Sequence, residues 1–377
     1  MQLPGKIDMV DLFSQYTKIK PQIDGAMQEV INTSSFIKGK QVASFESNLA
    51  NWLGTREVIS CANGTDALQI ALMALDLKPG DEIIVPAFTY AATAEVIALL
   101  GLTPVMADVN QTDFNLNIGA LEEAITPRTR AIIPVHLFGQ SSDMEPIMAL
   151  AKKYNLFVIE DNAQSLGAEY TFSDNKSKKT GTIGHIGCTS FFPTKNLGCF
   201  GDGGAIYTDD QELAVKIRMI ANHGQKVKYF HQVVGCNSRL DTIQAALLDV
   251  KLKYLEEHLA ARREAADYYF RALDGAALFH LPARNRNALH TFNQFTITVE
   301  GNERNRLQSW LREKGVPTMI YYPLPLYKQE AFSGYVKSGF SLPNTEWLCQ
   351  SVLSLPIHTE MKQETLAYIT ETLLEFR

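Results

Sequence analysis

Short runs of consecutive apolar residues alternate with amphipathic stretches along the first half of the chain. The runs show no polar alternation, which is typical of strands buried on both faces. They occupy residues 83–86, 104–108, 131–137, 156–161, 188–192 and 204–207. Because amphipathic segments such as 145–154 separate several of them, the pattern predicts a mostly parallel, doubly wound α/β sheet.

The longest apolar tract, residues 83–107, contains a single charged residue, Glu95, and has the length of a membrane span. It is interrupted by Pro86, Thr89, Thr93, Gly101 and Pro104. These interruptions divide the tract into a strand, a helix, a turn and a second strand. We therefore predict no membrane-spanning segment.

A long helix is predicted from Asp241, a residue suited to the N-cap position. Apolar side chains follow at helical spacing: Ile243, Leu247, Val250, Leu255 and Leu259. This helix is expected to carry the chain out of the sheet. By contrast, the polar segment 171–182 predicts an exposed, solvated loop.

The remainder of the chain predicts a smaller domain. It contains a strand-like run at 294–299, further helical segments and a proline-rich loop at 321–326. We predict a large domain over residues 1–250 and a small α+β domain over residues 251–377, whose length is within the usual size of a domain.

The composition is that of a globular protein with a sizeable core, because 46% of the 377 residues are hydrophobic and 20% are charged. The 35 basic and 41 acidic side chains give a net charge of −6. That balance argues against non-specific nucleic-acid binding, which needs a surface that neutralises phosphates. A local basic patch could still bind a small phosphorylated ligand.

The five cysteines are odd in number, irregularly spaced and without a C-x-x-C pair. They predict reduced thiols in a cytoplasmic protein. The first ten residues lack a basic stretch followed by an apolar run, so no secretory signal is expected. A zinc site built from His185, Cys188 and His223 is disfavoured because these spacings fit no usual ligand set.

Three sequence features carry candidate chemistry. Asp161 ends an apolar run, where ligands approach an open α/β sheet, although such a residue can also cap a helix. Lys195 lies between a strand-like run and four glycines, an unusual setting for a solvated charge. Gly64 and Thr65 begin an amphipathic helix whose free N–H groups form an anion site, with Thr65 as a simple cap as the alternative.

Together these are the contacts that pyridoxal phosphate (PLP) needs. The helix start binds the phosphate, the carboxylate keeps the pyridine nitrogen protonated, and the lysine forms the covalent link. Neither a P-loop nor a G-x-G-x-x-G motif competes for the phosphate. We therefore predict a PLP-dependent enzyme without a metal.

Several short motifs occur in order along the chain. They are residues 63–68 (Asn-Gly-Thr-Asp-Ala-Leu), 86–95 (Pro-Ala-Phe-Thr-Tyr-Ala-Ala-Thr-Ala-Glu), 160–165 (Glu-Asp-Asn-Ala-Gln-Ser), 189–198 (Thr-Ser-Phe-Phe-Pro-Thr-Lys-Asn-Leu-Gly), 201–204 (Gly-Asp-Gly-Gly), 222–224 (Asn-His-Gly), 237–241 (Asn-Ser-Arg-Leu-Asp) and 322–325 (Tyr-Pro-Leu-Pro). The ordered set resembles the DegT/StrS family of nucleotide-sugar aminotransferases over nearly the whole chain. The resemblance implies the type I aminotransferase fold and a homodimer with both active sites at the subunit interface.

The resemblance also implies roles for individual residues. Lys195 is expected to form the Schiff base with PLP, Asp161 to pair with the pyridinium, and Gln164 to bind near the ring hydroxyl. Tyr90 is expected to stack on the cofactor ring, with a core aromatic as the alternative. The implied phosphate contacts are Gly64, Thr65, Asp66, Ser190 and, from the other subunit, Asn237. One branch of the family has histidine at the lysine position and performs dehydration, which the lysine here disfavours.

Within the family, the chain is most similar to the WbpE-type subgroup. Such enzymes transfer the amino group of L-glutamate to C3 of UDP-2-acetamido-2-deoxy-3-oxo-glucuronate, for surface polysaccharides such as lipopolysaccharide and O-antigen. The implied substrate contacts are Phe36, Lys38, Gly39, Arg239, Tyr321 and Tyr322. Tyr321 stands where the subgroup tends to have histidine, so the sugar contact there can differ. Arg239 is expected to bind a carboxylate, or alternatively to form an interface salt bridge.

Other interpretations remain open at this point. One is transamination of a dTDP-3-keto-6-deoxyhexose, which needs no cation for a sugar carboxylate. Another is a regulatory or binding protein without catalysis, which the pair of Lys195 and Asp161 disfavours. The basic segment 223–231 could bind the diphosphate of a nucleotide sugar or be an ordinary solvated loop.

Overall fold

The apolar runs of the first half form a central sheet in the computed structural model, which describes residues 5–301 and 303–376. The strands, in chain order, are β1 (Glu57–Cys61), β2 (Glu82–Pro86), β3 (Thr103–Ala107), β4 (Thr129–Ile132), β5 (Phe157–Asp161), β6 (Glu169–Thr171), β7 (Ser177–Lys179), β8 (Ile186–Ser190), β9 (Gly204–Thr208), β10 (Gln225–Val227), β11 (Phe230–His231), β12 (Phe279–His280), β13 (Ala288–Leu289), β14 (Phe295–Val299) and β15 (Val352–Leu355).

Helices separate most of these strands. They are α1 (Leu12–Thr33), α2 (Lys40–Leu53), α3 (Gly64–Ala74), α4 (Ala92–Leu99), α5 (Ile118–Ala124), α6 (Met144–Tyr154), α7 (Gln211–Ile220), α8 (Thr242–Leu252), α9 (Leu255–Ala272), α10 (Arg304–Glu313), α11 (Pro343–Ser351) and α12 (Gln363–Leu374). The tract 83–107 is divided into strand, helix, turn and strand, as predicted. No helix within the described ranges is long and apolar enough to cross a membrane.

The central sheet has the strand order β1-β9-β8-β5-β4-β2-β3. Neighbouring strands from β8 through β3 pair in parallel, whereas β9 pairs antiparallel with both β8 and β1. The predicted, mostly parallel α/β sheet is confirmed. Because β9 reverses direction, the loop from β8 to β9 lies at the carboxyl edge of the parallel strands, where ligands bind in such sheets.

Successive residues of each central strand face opposite sides of the sheet. Ile83 packs with α3, α4 and α7 on one side, and its neighbour Ile84 packs with α5 and α6 on the other. This two-sided burial explains why the strands have no polar alternation. A third cluster joins α1, α2 and α8 to the β1 and β9 end of the sheet.

The later part of the chain builds a second core. The antiparallel sheet β12-β14-β15 packs against α9, α10 and α12, and Ile7 of the N-terminal segment joins the same cluster. The strand predicted at 294–299 is confirmed as β14. A domain boundary between residues 250 and 251 stays a prediction.

Three local expectations were wrong in part. In the run at 131–137 the regular strand ends at Ile132, and pairing continues only as an isolated bridge between Val135 and Asp161, because Pro134 has no N–H and residues Leu137–Gly139 form a 3₁₀ turn. The helix expected from Asp241 is interrupted where the N–H groups of Lys253 and Tyr254 bond to carbonyls three residues back.

The third correction concerns the polar segment 171–182. It contains β7, which pairs with β6 in a short hairpin, so it is not an irregular loop. The hydroxyls of Thr171 and Ser177 lie 2.8 Å apart across this pair. Tyr170 of β6 packs into the core, whereas β7 consists of Ser177, Lys178 and Lys179 and has no apolar side chain, which is why this segment resembles a loop in sequence.

Candidate active site

Asp161 ends β5 at the carboxyl edge of the sheet and is buried. Its Oδ2 accepts a 2.8 Å hydrogen bond from the hydroxyl of Thr93, and its Oδ1 accepts a 3.1 Å bond from the N–H of Ala163. Burial raises the pKa of this carboxyl, and the two hydrogen bonds together with the charge of Lys195 oppose the rise. The next element is a strand, so the helix-cap alternative for Asp161 is wrong.

Lys195 lies in the loop 191–203, between β8 and β9. Its backbone N–H donates a 2.8 Å hydrogen bond to the carbonyl of Phe192. Its Nζ makes no hydrogen bond or ion pair with any residue in the described ranges. Burial lowers the pKa of Lys195 to about 8, and the charge of Asp161 opposes that shift. The loop therefore presents a half-buried amine that loses its proton more readily than an ordinary lysine and has no bonded partner among the described residues.

The start of α3 lies against the end of β8. The side chain of Asn63 caps this helix by accepting a 2.8 Å hydrogen bond from the N–H of Asp66, so Thr65 is not the cap. The N–H groups of Gly64 and Thr65 donate to no group in the described part of the chain. A Cβ at Gly64 would lie 2.6 Å from the Cβ of Ser190, so only glycine allows this close approach. The result is a helix start with free donors beside a serine, which suits an anion.

Gln164 connects the strand end to the proline-rich loop. Its Oε1 accepts a 2.8 Å hydrogen bond from the N–H of Phe138, and its Nε2 donates a 3.1 Å bond to the hydroxyl of Tyr322. The ring of Tyr90 lies 6.4 Å from the ring of Tyr322, yet Tyr90 is 62% exposed. Tyr90 is therefore no core aromatic, and its ring is open to a ligand. Tyr321 is half-buried and packs at 6.0 Å against Tyr322.

The segment 36–39 pairs with the segment that precedes α8. The N–H of Thr242 donates a 3.0 Å hydrogen bond to the carbonyl of Phe36. In return, the N–H of Gly39 donates a 3.0 Å hydrogen bond to Oγ1 of Thr242. This pairing places Lys38 near Arg239. Burial and, secondarily, the charge of Arg239 lower the pKa of Lys38. Two cations are thus brought together, and neither forms an ion pair with the described residues.

The candidate residues form two groups within one chain. One group contains Asp161, Lys195, Gln164, Tyr90 and the tyrosines of the proline-rich loop. The other contains the segment 36–39, Arg239 and the exposed Asn237, which pairs with Asn222. Among the described residues, no hydrogen bond or ion pair joins Lys38, Asn237 or Arg239 to Lys195 or Asp161.

Comparison with known proteins identifies the family. Residues 17–374 match the DegT/DnrJ/EryC1/StrS aminotransferase family. The chain belongs to this family. Aminotransferases of this family use PLP, which agrees with the cofactor predicted from the sequence.

Three curated relatives match nearly the whole chain. A pleiotropic regulatory protein of Geobacillus stearothermophilus is 44% identical over 98% of both chains. The UDP-2-acetamido-2-deoxy-3-oxo-D-glucuronate aminotransferase of Pseudomonas aeruginosa is 45% identical over 97% of this chain and 99% of its own. The UDP-N-acetyl-3-dehydro-alpha-D-glucosamine 3-aminotransferase of Acidithiobacillus ferrooxidans is 43% identical over 96% of both. Transaminases named for dTDP-linked sugars also match, at 35% and 40% identity.

Two solved structures of the family confirm the type I aminotransferase fold. DesV of S. venezuelae superimposes with a TM-score of 0.94 at 35% identity and covers 98% of both chains. NtdA of Bacillus subtilis, solved with the bound cofactor PMP, has a TM-score of 0.90 at 33% identity. It covers 99% of this chain and 85% of its own.

Sequence reasoning missed two supports of the DegT-family site. One is Thr93, which lies inside the motif 86–95 but has no signal that distinguishes it from other helix threonines. The other is the buried pair of His136 and Glu160. The Nδ1 of His136 accepts a 3.0 Å hydrogen bond from the N–H of Ser142, so the ring proton is on Nε2. The Nε2–H donates a 2.8 Å hydrogen bond to the carboxylate of Glu160.

Glu160 also binds the backbone on the side of β5 opposite Asp161. Its two carboxylate oxygens accept hydrogen bonds of 2.6–2.7 Å from the N–H groups of Gly181, Ile183 and Gly184. Glu160 and His136 thereby fix the end of β5 and the approach to β8. The adjacent acidic pair in the sequence gave no indication that its two members face opposite sides.

The residues of the disfavoured zinc alternative have other contacts. The Nδ1 of His185 accepts the N–H of Val158 at 2.9 Å, and Cys188 is buried in the core. Across residues 5–301 and 303–376, no three His, Cys, Asp or Glu side chains are grouped as a metal site requires.

Proposed function

We propose that the protein is a PLP-dependent aminotransferase that moves the amino group of L-glutamate to C3 of a UDP-linked 3-keto sugar. The favoured substrate is UDP-2-acetamido-2-deoxy-3-oxo-glucuronate, as a step in surface-polysaccharide synthesis. The observation that carries the proposal is the amine of Lys195, which has a lowered pKa and no bonded partner among the described residues, near the buried carboxylate of Asp161. The relatives that act on UDP-linked 3-keto sugars support the choice of substrate class.

The residues at the carboxyl edge fit PLP. The free N–H groups of Gly64 and Thr65 and the hydroxyl of Ser190 offer a cradle for its phosphate, whereas the N–H of Asp66, the other predicted contact of this segment, is bonded to Asn63. Tyr90, whose ring is exposed and lies 6.4 Å from that of Tyr322, and Gln164, whose amide bonds to the Tyr322 hydroxyl, would hold the ring of PLP. When bound, PLP supplies an electron sink that stabilises negative charge at the substrate carbon next to the nitrogen.

Lys195 is the proposed acid and base. With a pKa of about 8, its amine loses its proton near neutral pH far more readily than an ordinary lysine. Its Nζ takes the proton from the α-carbon of glutamate and, in the second half-reaction, delivers one to C3 of the sugar. Thr93 and Ala163 donate hydrogen bonds to Asp161 that favour its ionised form against burial, and in that form it would hold a proton on the ring nitrogen.

Lys38 and Arg239 are the proposed binding site for anions of the substrates. Glutamate brings two carboxylates and the nucleotide sugar brings a diphosphate, and both need cations in the cavity. The two side chains lie near each other, and neither forms an ion pair with the described residues, although the charge of Glu46 acts on Lys38. Phe36, Gly39, Tyr321 and Tyr322 complete the set of proposed substrate contacts.

We propose that Asn237 and Arg239 act in the site of the other subunit of a homodimer. Within one chain no hydrogen bond or ion pair among the described residues joins them to Lys195, and Asn237 is exposed. The nearby segment exposes apolar side chains, with Tyr229 at 77%, Phe230 at 69% and Val234 at 85%. Such exposure supports a covered interface. The five free thiols agree with the predicted cytoplasmic location, which stays a proposal.

An absorbance assay of the separate half-reactions tests this function. The enzyme is converted to its amine form with glutamate, freed of glutamate, and offered keto-sugar nucleotides one at a time. We expect the UDP-linked 3-keto-uronate to restore the original spectrum fastest. The comparison substrates are UDP-linked 3-keto-N-acetylglucosamine, which lacks the sugar carboxylate, and a dTDP-3-keto-6-deoxyhexose. Faster restoration by a dTDP sugar would favour the alternative substrate.

The similarity to a pleiotropic regulatory protein raises a second, non-catalytic candidate. That interpretation predicts a protein whose spectrum does not change with glutamate. The same assay separates the two, because an inert Lys195 would leave the cofactor spectrum constant at every glutamate concentration.

A further inference from the structure

Helix α8 contacts the loop of Lys195 through two side chains that are seven residues apart. The amide of Gln244 makes two hydrogen bonds with the backbone of Phe200, accepting its N–H at 2.9 Å and donating to its carbonyl at 3.0 Å. Lys251, two turns further along, donates a 2.5 Å hydrogen bond to the carbonyl of Gly198. Both contacts lie on the stretch that directly follows Lys195.

Lys251 is unusual because its charge is buried. The residue is 5% exposed, its Nζ lies 5.6 Å from the centre of the Phe200 ring, and it forms no ion pair in the described ranges. A buried cation with one neutral acceptor costs stability, and a methionine could fill the same space without that cost. Among the described residues, the hydrogen bond to Gly198 and the nearby Phe200 ring are therefore the contacts that explain a lysine at this position, and both lie on the loop of Lys195.

The loop is too tight for Gly198 to move independently of Lys195. A Cβ at Gly198 would lie 2.2 Å from the carbonyl oxygen of Pro193. Backbone hydrogen bonds of 2.8 Å also close the loop, from Lys195 to Phe192 and from Cys199 to Phe191. A shift of the Gly198 carbonyl is therefore transmitted to the backbone that carries Lys195.

We propose that Lys251, with Gln244, is a positioning residue that fixes the loop so that Lys195 Nζ is held at its reacting position. The side chain of Lys195 has four rotatable bonds and no hydrogen bond or ion pair within the described part of the chain, so the placement of its amine depends on its backbone. The inference rests on the proposed function, because it assumes that Lys195 is the reacting amine.

The surroundings of Lys251 are consistent with this role. Besides Gly198 and Phe200, the charged or titratable groups that face it are the thiol of Cys199 and the ring of His258 on α9. Burial lowers the pKa of Lys251 to about 8. A cavity of about 250 Å³ adjoins it, which leaves room for a somewhat larger side chain.

The test compares Lys251→Met with Lys251→Arg and with Lys253→Met, a change of the exposed lysine two residues further on. Hydrogen exchange of the full-chain protein freed of cofactor reports the Lys195 and Cys199 amides. We expect Lys251→Met to speed their exchange at least about tenfold, with α9 and the central strands unchanged. Lys251→Arg, which restores a donor, is expected to recover most of the protection. Lys253→Met should match the wild type.

A second readout follows the reaction. PLP is added to the same proteins, the covalent product is trapped with borohydride, and the peptide with Lys195 is quantified by mass spectrometry. Lys251→Met is expected to slow attachment about tenfold and to lower kcat with little change in the KM for glutamate. Should Lys251→Met fail to fold, Gln244→Met carries the same test, because it removes both hydrogen bonds to Phe200.

Unchanged amide exchange and unchanged attachment in Lys251→Met would overturn the inference. So would uniform loss of protection throughout the chain, since that is the mark of a general loss of stability. A failure of the proposed function is separable: in that case the wild type itself shows no borohydride-trapped Lys195, whatever residue stands at 251.

Discussion

The hydroxyl of Thr93, on α4, donates a 2.8 Å hydrogen bond to Oδ2 of Asp161, at the end of β5. It is one of two hydrogen bonds that stabilise the ionised carboxylate against burial. Both hydrogen bonds favour the form of Asp161 that can accept a hydrogen bond from a protonated ring nitrogen. The position of α4 relative to the sheet sets the charge of the residue proposed to hold a proton on PLP.

Replacing Thr93 with valine is expected to raise the pKa of Asp161 further and to weaken PLP binding about tenfold or more, since a hydrogen bond to a charged group is lost. The dissociation constant of PLP, measured by fluorescence at pH 7, checks this. Thr93→Ser keeps the hydroxyl and is the matched control. Equal affinities of the valine and serine variants would contradict the role of the hydroxyl.

Lys195→Ala is expected to abolish turnover with glutamate while leaving the fold intact. The reason is that the only amine proposed to move the substrate proton is removed. Steady-state assays and circular dichroism spectra of the two proteins provide the comparison. Full activity in Lys195→Ala would rule out the proposed mechanism.

The pKa of about 8 for Lys195 predicts how the reactivity of the cofactor-free protein depends on pH. Because the folded-state pKa is depressed, the unprotonated amine becomes the major form above pH 8. The rate of PLP attachment should rise about tenfold per pH unit below pH 7.5 and level off above 8.5. Nα-acetyl-lysine, with an ordinary amine, is the control and should continue to gain rate through pH 10. A protein profile that follows this control would show an unperturbed lysine.

Glu160→Gln is expected to destabilise the fold by about 3 kcal/mol, because a buried carboxylate that accepts several N–H groups and pairs with His136 is lost. Urea unfolding gives the free energy. Glu122→Gln is the control, since Glu122 forms an exposed pair with Lys153 and its loss should leave stability unchanged within error. Similar stabilities of the two variants would mean that the Glu160 network contributes little.

Mixing two inactive variants tests whether the sites are shared between subunits. The variants Lys195→Ala and Arg239→Ala are co-expressed with different tags, so that some dimers contain one subunit of each. If Arg239 acts in the active site of the other subunit, one of the two sites in such a hybrid has both residues intact. About a quarter of the wild-type activity is then expected in a random mixture. If both residues act within one chain, hybrids gain nothing, and the mixture stays as inactive as its components.

The parallel sheet was predictable because uninterrupted apolar runs are a direct consequence of burial on two faces, as Ile83 and Ile84 illustrate. The candidate site was predictable in outline because Asp161 ends such a run. The break between α8 and α9 was not, since Leu255 and Leu259 keep their helical spacing across a turn made by backbone hydrogen bonds alone.

The supports of the site were the least predictable part. Thr93 contacts Asp161 across 68 positions of sequence, and Lys251 contacts Gly198 across 53. Such pairings depend on the stacking of helices on the sheet, which single-sequence patterns do not encode. A lysine in an amphipathic helix ordinarily indicates solvent, so Lys251 gave no signal of its burial.

Because Glu160 and Asp161 face opposite sides of β5, the site depends on which side of the strand each residue occupies. Inserting one residue upstream in β5 would turn the longer glutamate side chain toward the cofactor and move the aspartate into the backbone cluster. Inserting two would restore the alternation. Comparing the two insertions would separate the effect of a longer strand from the effect of a reversed alternation. We expect the site to survive only the two-residue insertion.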